Sequence, residues 1–283
     1  YPTVIKADGL ALGKGVSLCD TYEEARQAVK SIMEDRVFGA SGSRVVVEEF
    51  LTGPEVSVLA FTDGKTIRPM VSAKDHKRAF DGDMGPNTGG MGTISPNPHY
   101  TEEDAAYCME HIFQPTVDAM RREGRPFKGC LFFGLMLTPD GPKVIEYNCR
   151  FGDPETQVVL PRLKTDLIDI LCAIQEERLA AQAIEWKDGA CACVVMVSGG
   201  YPASYPKGLE IHGLRPDGQH PDAVIYHAGT KAENGKFYTN GGRVLGVTKT
   251  ADTLDEALDG SYEAVTHIRF DNAHYRKDIG RTR

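Results

Sequence analysis

The chain has 283 residues, of which 41% are hydrophobic and 25% charged. This is an ordinary soluble balance that excludes a mainly disordered chain and leaves room for two or three domains. A formal net charge of -8 argues against a protein that lives on nucleic acid, which needs a basic surface to displace counterions; a local basic pocket for a phosphorylated small molecule stays open. No apolar stretch approaches the roughly 20 residues of a membrane helix and no signal peptide is visible, so the expectation is a cytoplasmic protein with neither nucleic acid nor membrane as partner.

The sequence opens Tyr1-Pro2-Thr3-Val4-Ile5-Lys6, without a methionine and directly in a strand-like run, and reads as part of a longer chain. Lys6 to Val16 is rich in glycine (Gly9, Gly13, Gly15) and carries Lys14. Bare backbone N–H groups there could cradle phosphate oxygens, although a glycine-rich hairpin is as often structural. Lys14 is followed by glycine rather than Ser or Thr, so the segment is not a Walker A loop. A helix follows, with a capping-box pattern at Thr21 and Glu24 and an apolar face of Ala25, Val29, Ile32 and Met33. Arg44 to Leu51 and Glu55 to Thr62 read as strands separated by Gly53-Pro54, and Lys65 to Ser72 as another. The paired acids Glu48 and Glu49 end a buried-looking strand. They suit ribose hydroxyls, with a solvated strand end as the alternative.

Lys74 to Pro98 reads as a long polar loop. It contains Lys74-Asp75-His76-Lys77-Arg78, which by default is a solvated turn, and Gly85-Pro86-Asn87-Thr88-Gly89-Gly90-Met91-Gly92, whose glycines leave backbone bare for a ligand. Thr101 to Glu123 is expected to be helical and kinked by Pro115. Lys128 to Thr138 and Pro142 to Cys149 form a hairpin through Asp140-Gly141, and Pro154 to about Ala181 reads as mostly helical. Beyond Trp186 come short strands, Cys191 to Val197, Ala223 to Gly229, Lys236 to Thr239 and Arg243 to Lys249, then a helix capped by Thr253 and Glu256. The seven cysteines form no C-x-x-C pair and read as small buried hydrophobes.

The sharpest signal is Val144-Ile145-Glu146-Tyr147-Asn148-Cys149-Arg150. Alternation places Glu146, Asn148 and Arg150 on one side of a strand. A carboxylate, an amide oxygen and a guanidinium together suit a magnesium ion that still needs phosphate ligands, with the arginine beside a transferring phosphoryl group. A structural Glu–Arg pair is the alternative.

Asp75-His76-Lys77-Arg78, Gly85 to Gly92 and Ile145-Glu146-Tyr147-Asn148-Cys149-Arg150-Phe151-Gly152-Asp153-Pro154-Glu155-Thr156-Gln157 resemble the glycinamide ribonucleotide synthetase family of the ATP-grasp superfamily. Lys6 to Gly15, Glu48 to Leu51 and Asn240-Gly241-Gly242-Arg243-Val244-Leu245 match as well, so the resemblance runs through essentially the whole chain. It implies an α+β, ATP-grasp fold with two α+β subdomains sandwiching ATP, at residues 1–63 and 64–186. A small, mostly-β C-terminal domain would follow at 187–283. It implies an ATP-dependent carbon–nitrogen ligase of purine biosynthesis that joins glycine to 5-phosphoribosylamine through glycyl phosphate. The cofactors would be ATP and Mg2+ or Mn2+. ATP would be held by Lys6, Gly9, Gly13, Lys14, Gly15, Glu48, Glu49, Phe50, Leu51 and Glu55, and the metal by Glu146 and Asn148. The substrates would lie against Asp75, His76, Lys77, Asn87, Thr88, Gly89, Gly90, Met91, Arg150 and Asp153, with Arg150 catalytic.

The family carries an N-terminal domain before the opening strand, with a further ATP-contacting lysine. Its absence here implies a fragment that binds nucleotide and depends on that domain for turnover. Many ATP-grasp enzymes also place an acid on the strand before the Glu-x-Asn strand, and Leu131 to Leu137 has none. Another carboxylate–amine ligase of the same fold, or a nucleotide-binding module inactive without its partner domain, are the competing readings.

Overall fold

A computed structural model describes residues 1–11 and 15–281. The chain divides into two units, Tyr1–Gly53 and Pro54–Arg283.

In the first unit, Thr3–Ala7 is the middle strand of an antiparallel sheet, flanked by Val16–Cys19 and Val45–Glu49. The helix Tyr22–Val29 covers one face, and Ile5, Cys19, Ala25 and Ile32 form the small core. The expected capping box is present: the Thr21 hydroxyl accepts from the Glu24 N–H, and the Glu24 carboxylate accepts from the Thr21 N–H.

The second unit is built on two antiparallel sheets. The first has the order Gly141–Asn148, Gly129–Thr138, Glu55–Thr62, Ile67–Pro69. Side-chain alternation divides its residues between two cores. Val56, Val58, Ala60, Leu131 and Phe133 pack with Cys108, Phe113 and Val117 of the helical segment, while Leu59, Phe61 and Phe132 face Met91, Ile94, Val158 and Ile170. The second sheet has the order Val224–His227, Arg243–Ala251, Ala190–Val197, Gly92–Ser95, Lys74–Asp75. Cys191, Cys193, Val195 and Val197 point to the first sheet's core, whereas Val194 and Met196 join Ala264 and Val265 of the helix Leu254–His267. Strands from both sides of residue 186 therefore share one sheet, and Glu55–Thr62 belongs to the second unit.

Three expectations need correction. The Lys74 to Pro98 stretch is not a loop: Thr93 and Ile94 are buried in a sheet strand, and Arg78–Phe80 pairs with Met84–Asn87. The Thr101 to Glu123 helix is interrupted by a wider π-type turn over Met109–Phe113, just before Pro115. The proline has no N–H to donate, and its ring crowds the preceding turn. The Pro154 to Ala181 segment breaks into Thr156–Val159 and Leu167–Gln175, separated by Pro161 and restarted by Asp166, whose side chain caps the Ile168 N–H. Five of the cysteines are buried; Cys149 and Cys172 are exposed. Among the described residues no helix is long and apolar enough to cross a membrane.

Candidate active site

In the second unit, Glu146 and Asn148 lie opposite Gly134 and Phe132 of the neighbouring strand. A register shift leaves Ile145 as an extra residue but keeps Glu146 and Asn148 two apart. The Asn148 amide donates to Glu146 Oε1 at 3.1 Å, so a carboxylate and an amide stand side by side. Arg150 departs from the expected pattern. The strand ends at Asn148, and the Arg150 guanidinium donates at 2.8 Å to the carbonyl of its own neighbour, Phe151. Its charge acts on Glu155 instead.

Glu155 was not singled out as a site residue, yet it is 5% exposed and accepts a hydrogen bond from the Ser57 hydroxyl at 3.1 Å. Burial raises its pKa; its own backbone N–H, Ser57, Lys77 and Arg150 oppose the rise. Asp75 faces it. Burial, and then the Glu155 charge, push the Asp75 carboxyl well above the ordinary carboxylate value against the pull of Lys77 and Arg243. Lys77 is the cation of this group, 2.5 Å from Glu55. Burial works to lower its ammonium pKa, but Glu55, with Asp75 and Glu146, outweighs burial and raises it. Glu55, Asp75, Lys77, Glu146, Arg150 and Glu155 thus form one electrostatic cluster.

The glycine-rich string wraps this cluster. Thr88 donates to the Lys77 carbonyl through its hydroxyl at 2.8 Å and its N–H at 2.7 Å. Gly90 has φ +112°, and a Cβ there would lie 2.4 Å from Pro154 and 2.6 Å from Asp75 Oδ1, so only glycine fits. Asn87 and Gly89 are exposed. Arg243, outside the expected set, donates to the Gly89 carbonyl at 2.6 Å, to the Asp153 carbonyl at 2.8 Å and to the Asp153 carboxylate at 3.1 Å.

Two expected substrate residues serve the fold. Met91 is fully buried in the core, its N–H donating to His76 and its carbonyl accepting from Val195. His76 is 2% exposed, with Nδ1 against the Gly92 carbonyl at 3.1 Å and Nε2 accepting from the Gly280 N–H at 3.0 Å. Both ring nitrogens are engaged within the protein. Burial pushes its pKa down to about 4.

In the first unit, the Lys6 ammonium lies 2.6 Å from Glu48. Val4 pairs with Glu48 and Lys6 with Val46, so the two are diagonal neighbours on one sheet face. Glu49 is exposed, and Phe50 and Leu51 are half-buried just past the strand. The Gly9 N–H donates to the Ser41 carbonyl at 2.9 Å, and the Gly15 carbonyl accepts from Ala7 at 2.8 Å. Gly13 and Lys14 lie outside the described residues.

Among the described residues no group of three or more His, Cys, Asp or Glu side chains is placed to hold a metal ion. The Glu146 carboxylate beside the Asn148 amide nevertheless fits a hard divalent cation of the kind that takes one or two protein oxygens and completes its shell with phosphate and water.

The family described as phosphoribosylglycinamide synthetase matches the chain twice, its ATP-grasp (A) domain over residues 1–156 and its C domain over 191–282. A phosphoribosylamine–glycine ligase of Clostridium acetobutylicum is 50% identical over 283 residues, 100% of this chain and 67% of that protein. The human trifunctional purine biosynthetic protein adenosine-3 is 48% identical over 98% of this chain but 27% of its own length. The chain therefore spans about two thirds of the former relative and about a quarter of the latter. The solved structure of a phosphoribosylamine–glycine ligase from Thermotoga maritima superposes with a TM-score of 0.88 at 37% identity, covering 98% of this chain and 68% of that one. The biotin carboxylase domain of a Hydrogenobacter thermophilus 2-oxoglutarate carboxylase superposes at 0.69 with 14% identity, over 97% of this chain and 58% of that one, a likeness of fold.

Proposed function

This chain belongs to the phosphoribosylglycinamide synthetase family and has an ATP-grasp fold, and on that premise we propose that it carries the ATP-dependent ligation of glycine to 5-phosphoribosylamine in purine biosynthesis. The observation that carries the reading is the Glu146–Asn148 carboxylate–amide pair in one electrostatic cluster with the half-buried Asp75 and the buried Glu155 carboxylates, Lys77 acting on both acids.

In this reading a glycine carboxylate oxygen attacks the γ-phosphorus of ATP, and the bond to ADP breaks. The amine nitrogen of phosphoribosylamine then attacks the carbonyl carbon of glycyl phosphate; phosphate leaves and the nitrogen loses one proton. Little covalent work falls to the protein, so its task is positioning and charge neutralisation. Lys6 and the Gly9–Gly15 segment hold phosphates, Glu48 to Leu51 the adenine and Glu55 the ribose. Glu146 and Asn148 would hold Mg2+ or Mn2+, which would neutralise phosphate charge. Arg150, whose guanidinium is turned to the Phe151 carbonyl, is assigned to the transferring phosphoryl group by its charge alone.

Two carboxylates whose pKa values are raised mainly by burial, the Glu155 charge also acting on Asp75, welcome a cation, and the glycine ammonium is the cation this reaction supplies. We assign Asp75 and Glu155 to it. We assign Asn87, Gly89, Lys77 and Asp153 to the sugar phosphate. Function divides the chain differently from packing, into a nucleotide-binding part through residue 63, a metal- and substrate-binding part through 186, and a β-rich part from 187.

The full-length protein is expected to release phosphate from ATP only when both glycine and phosphoribosylamine are present. Equal release with either omitted would sink this reading, and a panel of other carboxylates and amines would then identify the ligase.

A further inference from the structure

The Gly89 peptide is gripped on both sides by residues far along the chain. Its N–H donates to the Tyr201 hydroxyl at 3.0 Å, and its carbonyl accepts from Arg243 Nη1 at 2.6 Å. Gly90, the next residue, is wedged between Pro154 and the Asp75 carboxylate, with no room for a single added carbon. The Gly89–Gly90 backbone therefore borders the Asp75 carboxylate directly, and its placement bears on where that carboxylate stands.

We propose that Tyr201 is a positioning residue for the amino-acid substrate: its hydroxyl fixes the Gly89 peptide and, through Gly90, holds the Asp75 carboxyl in place against its partner acid. This rests on the assignment of that carboxylate pair to the substrate ammonium. The Tyr201 ring is located independently of its hydroxyl. It packs against the main core, meets the Tyr205 ring at a tilt with a centroid distance of 6.3 Å, and lies so close to Gly242 that a Cβ there would be 2.3 Å from the ring. Removing only the oxygen leaves the ring anchored. Gly89 is exposed, so its freed N–H turns to water at little cost in stability. What is lost is one of the two holds on Gly89, the Arg243 contact to its carbonyl remaining. A residue that merely braced the fold would move every parameter together, whereas this one moves the amino-acid term alone.

Tyr201→Phe in the full-length protein tests the idea with two readouts. The first needs no substrate. Gly89 amide exchange, followed by NMR, should speed up about tenfold as the hydrogen bond is lost. The second is kinetic. KM for glycine should rise about five- to tenfold, the scale of one hydrogen bond, while KM for ATP stays within about twofold. Unchanged Gly89 exchange would show that the contact does not restrain the peptide and would overturn the proposal. So would faster exchange with an unchanged glycine KM, or a parallel rise in the KM for both substrates. Wild-type protein that releases no phosphate with glycine would instead defeat the ligase reading, a failure visible before any variant is compared.

Discussion

Replacing His76 with glutamine tests whether the histidine between Asp75 and Lys77 is a buried structural group or a ligand. Nε2 accepts from the Gly280 N–H at 3.0 Å, so Nδ1 carries the proton and donates to Gly92 at 3.1 Å. A second proton would displace the Gly280 N–H and place a charge among buried atoms. Burial is the largest cause of the lowered pKa. Arg276 and Lys74 add to it, and the Gly92 carbonyl and Asp83 oppose it. The ordinary value is 6.5 and the folded value about 4. Between them the unfolded chain takes up a proton that the native protein refuses, so native stability falls as pH drops through that window. At 1.36 kcal/mol per unit, the loss between about pH 7 and about pH 4 is roughly 3 kcal/mol. Glutamine keeps a donor and an acceptor but does not titrate. The variant should be weaker at neutral pH by about 1–2 kcal/mol through imperfect hydrogen bonds and packing. Its stability should then decline less toward acid, so the two curves converge. Urea unfolding of both proteins at several pH values measures this. Parallel curves would refute the burial argument and return His76 to the residues available to a ligand.

Glu155→Gln removes a buried acid whose folded pKa lies above its ordinary value. The native protein keeps that proton to higher pH than the unfolded chain does, so the stability cost grows as pH rises through the ordinary carboxylate range and is full above the folded value. The variant should therefore unfold at higher temperature than wild type at neutral pH, with the gain vanishing in acid, while kcat/KM for glycine falls by about tenfold or more through loss of one charge-assisted contact. A neutral-pH melting point below wild type would contradict this account. Glu146→Ala should keep the fold by circular dichroism and weaken magnesium-dependent nucleotide binding by at least about tenfold, since it removes the one carboxylate of the Glu-x-Asn pair. Unchanged ATP affinity in magnesium, measured by calorimetry, would remove Glu146 from the metal site.

What the sequence made legible is what short-range geometry dictates. The Glu55–Thr62 run, the Asp140-Gly141 hairpin and the capping boxes at Thr21 and Thr253 depend on neighbours within a few residues, and each is present. Glu146 and Asn148 could be paired because a two-residue period survives the bulge at Ile145. Arg150 could not be followed, because nothing local marks the point where the strand stops. The strands inside Lys74 to Pro98 were invisible for a related reason. Each is two to four residues long, too short for a period, and Gly92–Ser95 is strand because Cys191 to Val194 lies beside it.

The residues missed in the cluster share one property: their meaning comes from partners far away in sequence. Glu155 sits inside the Asp153-Pro154-Glu155 string, yet what sets it apart is burial against Ser57, 98 residues earlier. Arg243 and Tyr201 stand in glycine-rich stretches that look like turns, yet they reach Gly89 across 154 and 112 residues. His76 erred in the opposite direction, a titratable group in a charged run whose partners are the Gly92 carbonyl and the Gly280 N–H, groups that every residue type presents alike. A charged run on paper is therefore weak evidence of a solvated surface. Here Asp75, His76 and Lys77 leave one short segment for three fates, a half-buried acid, a neutral core imidazole and a cation among carboxylates. The strand pairing of Lys74–Asp75 with Thr93–Ile94 is what separates them, because it draws the segment into the sheet and so decides which side chains meet the core and which meet Glu55 and Glu155.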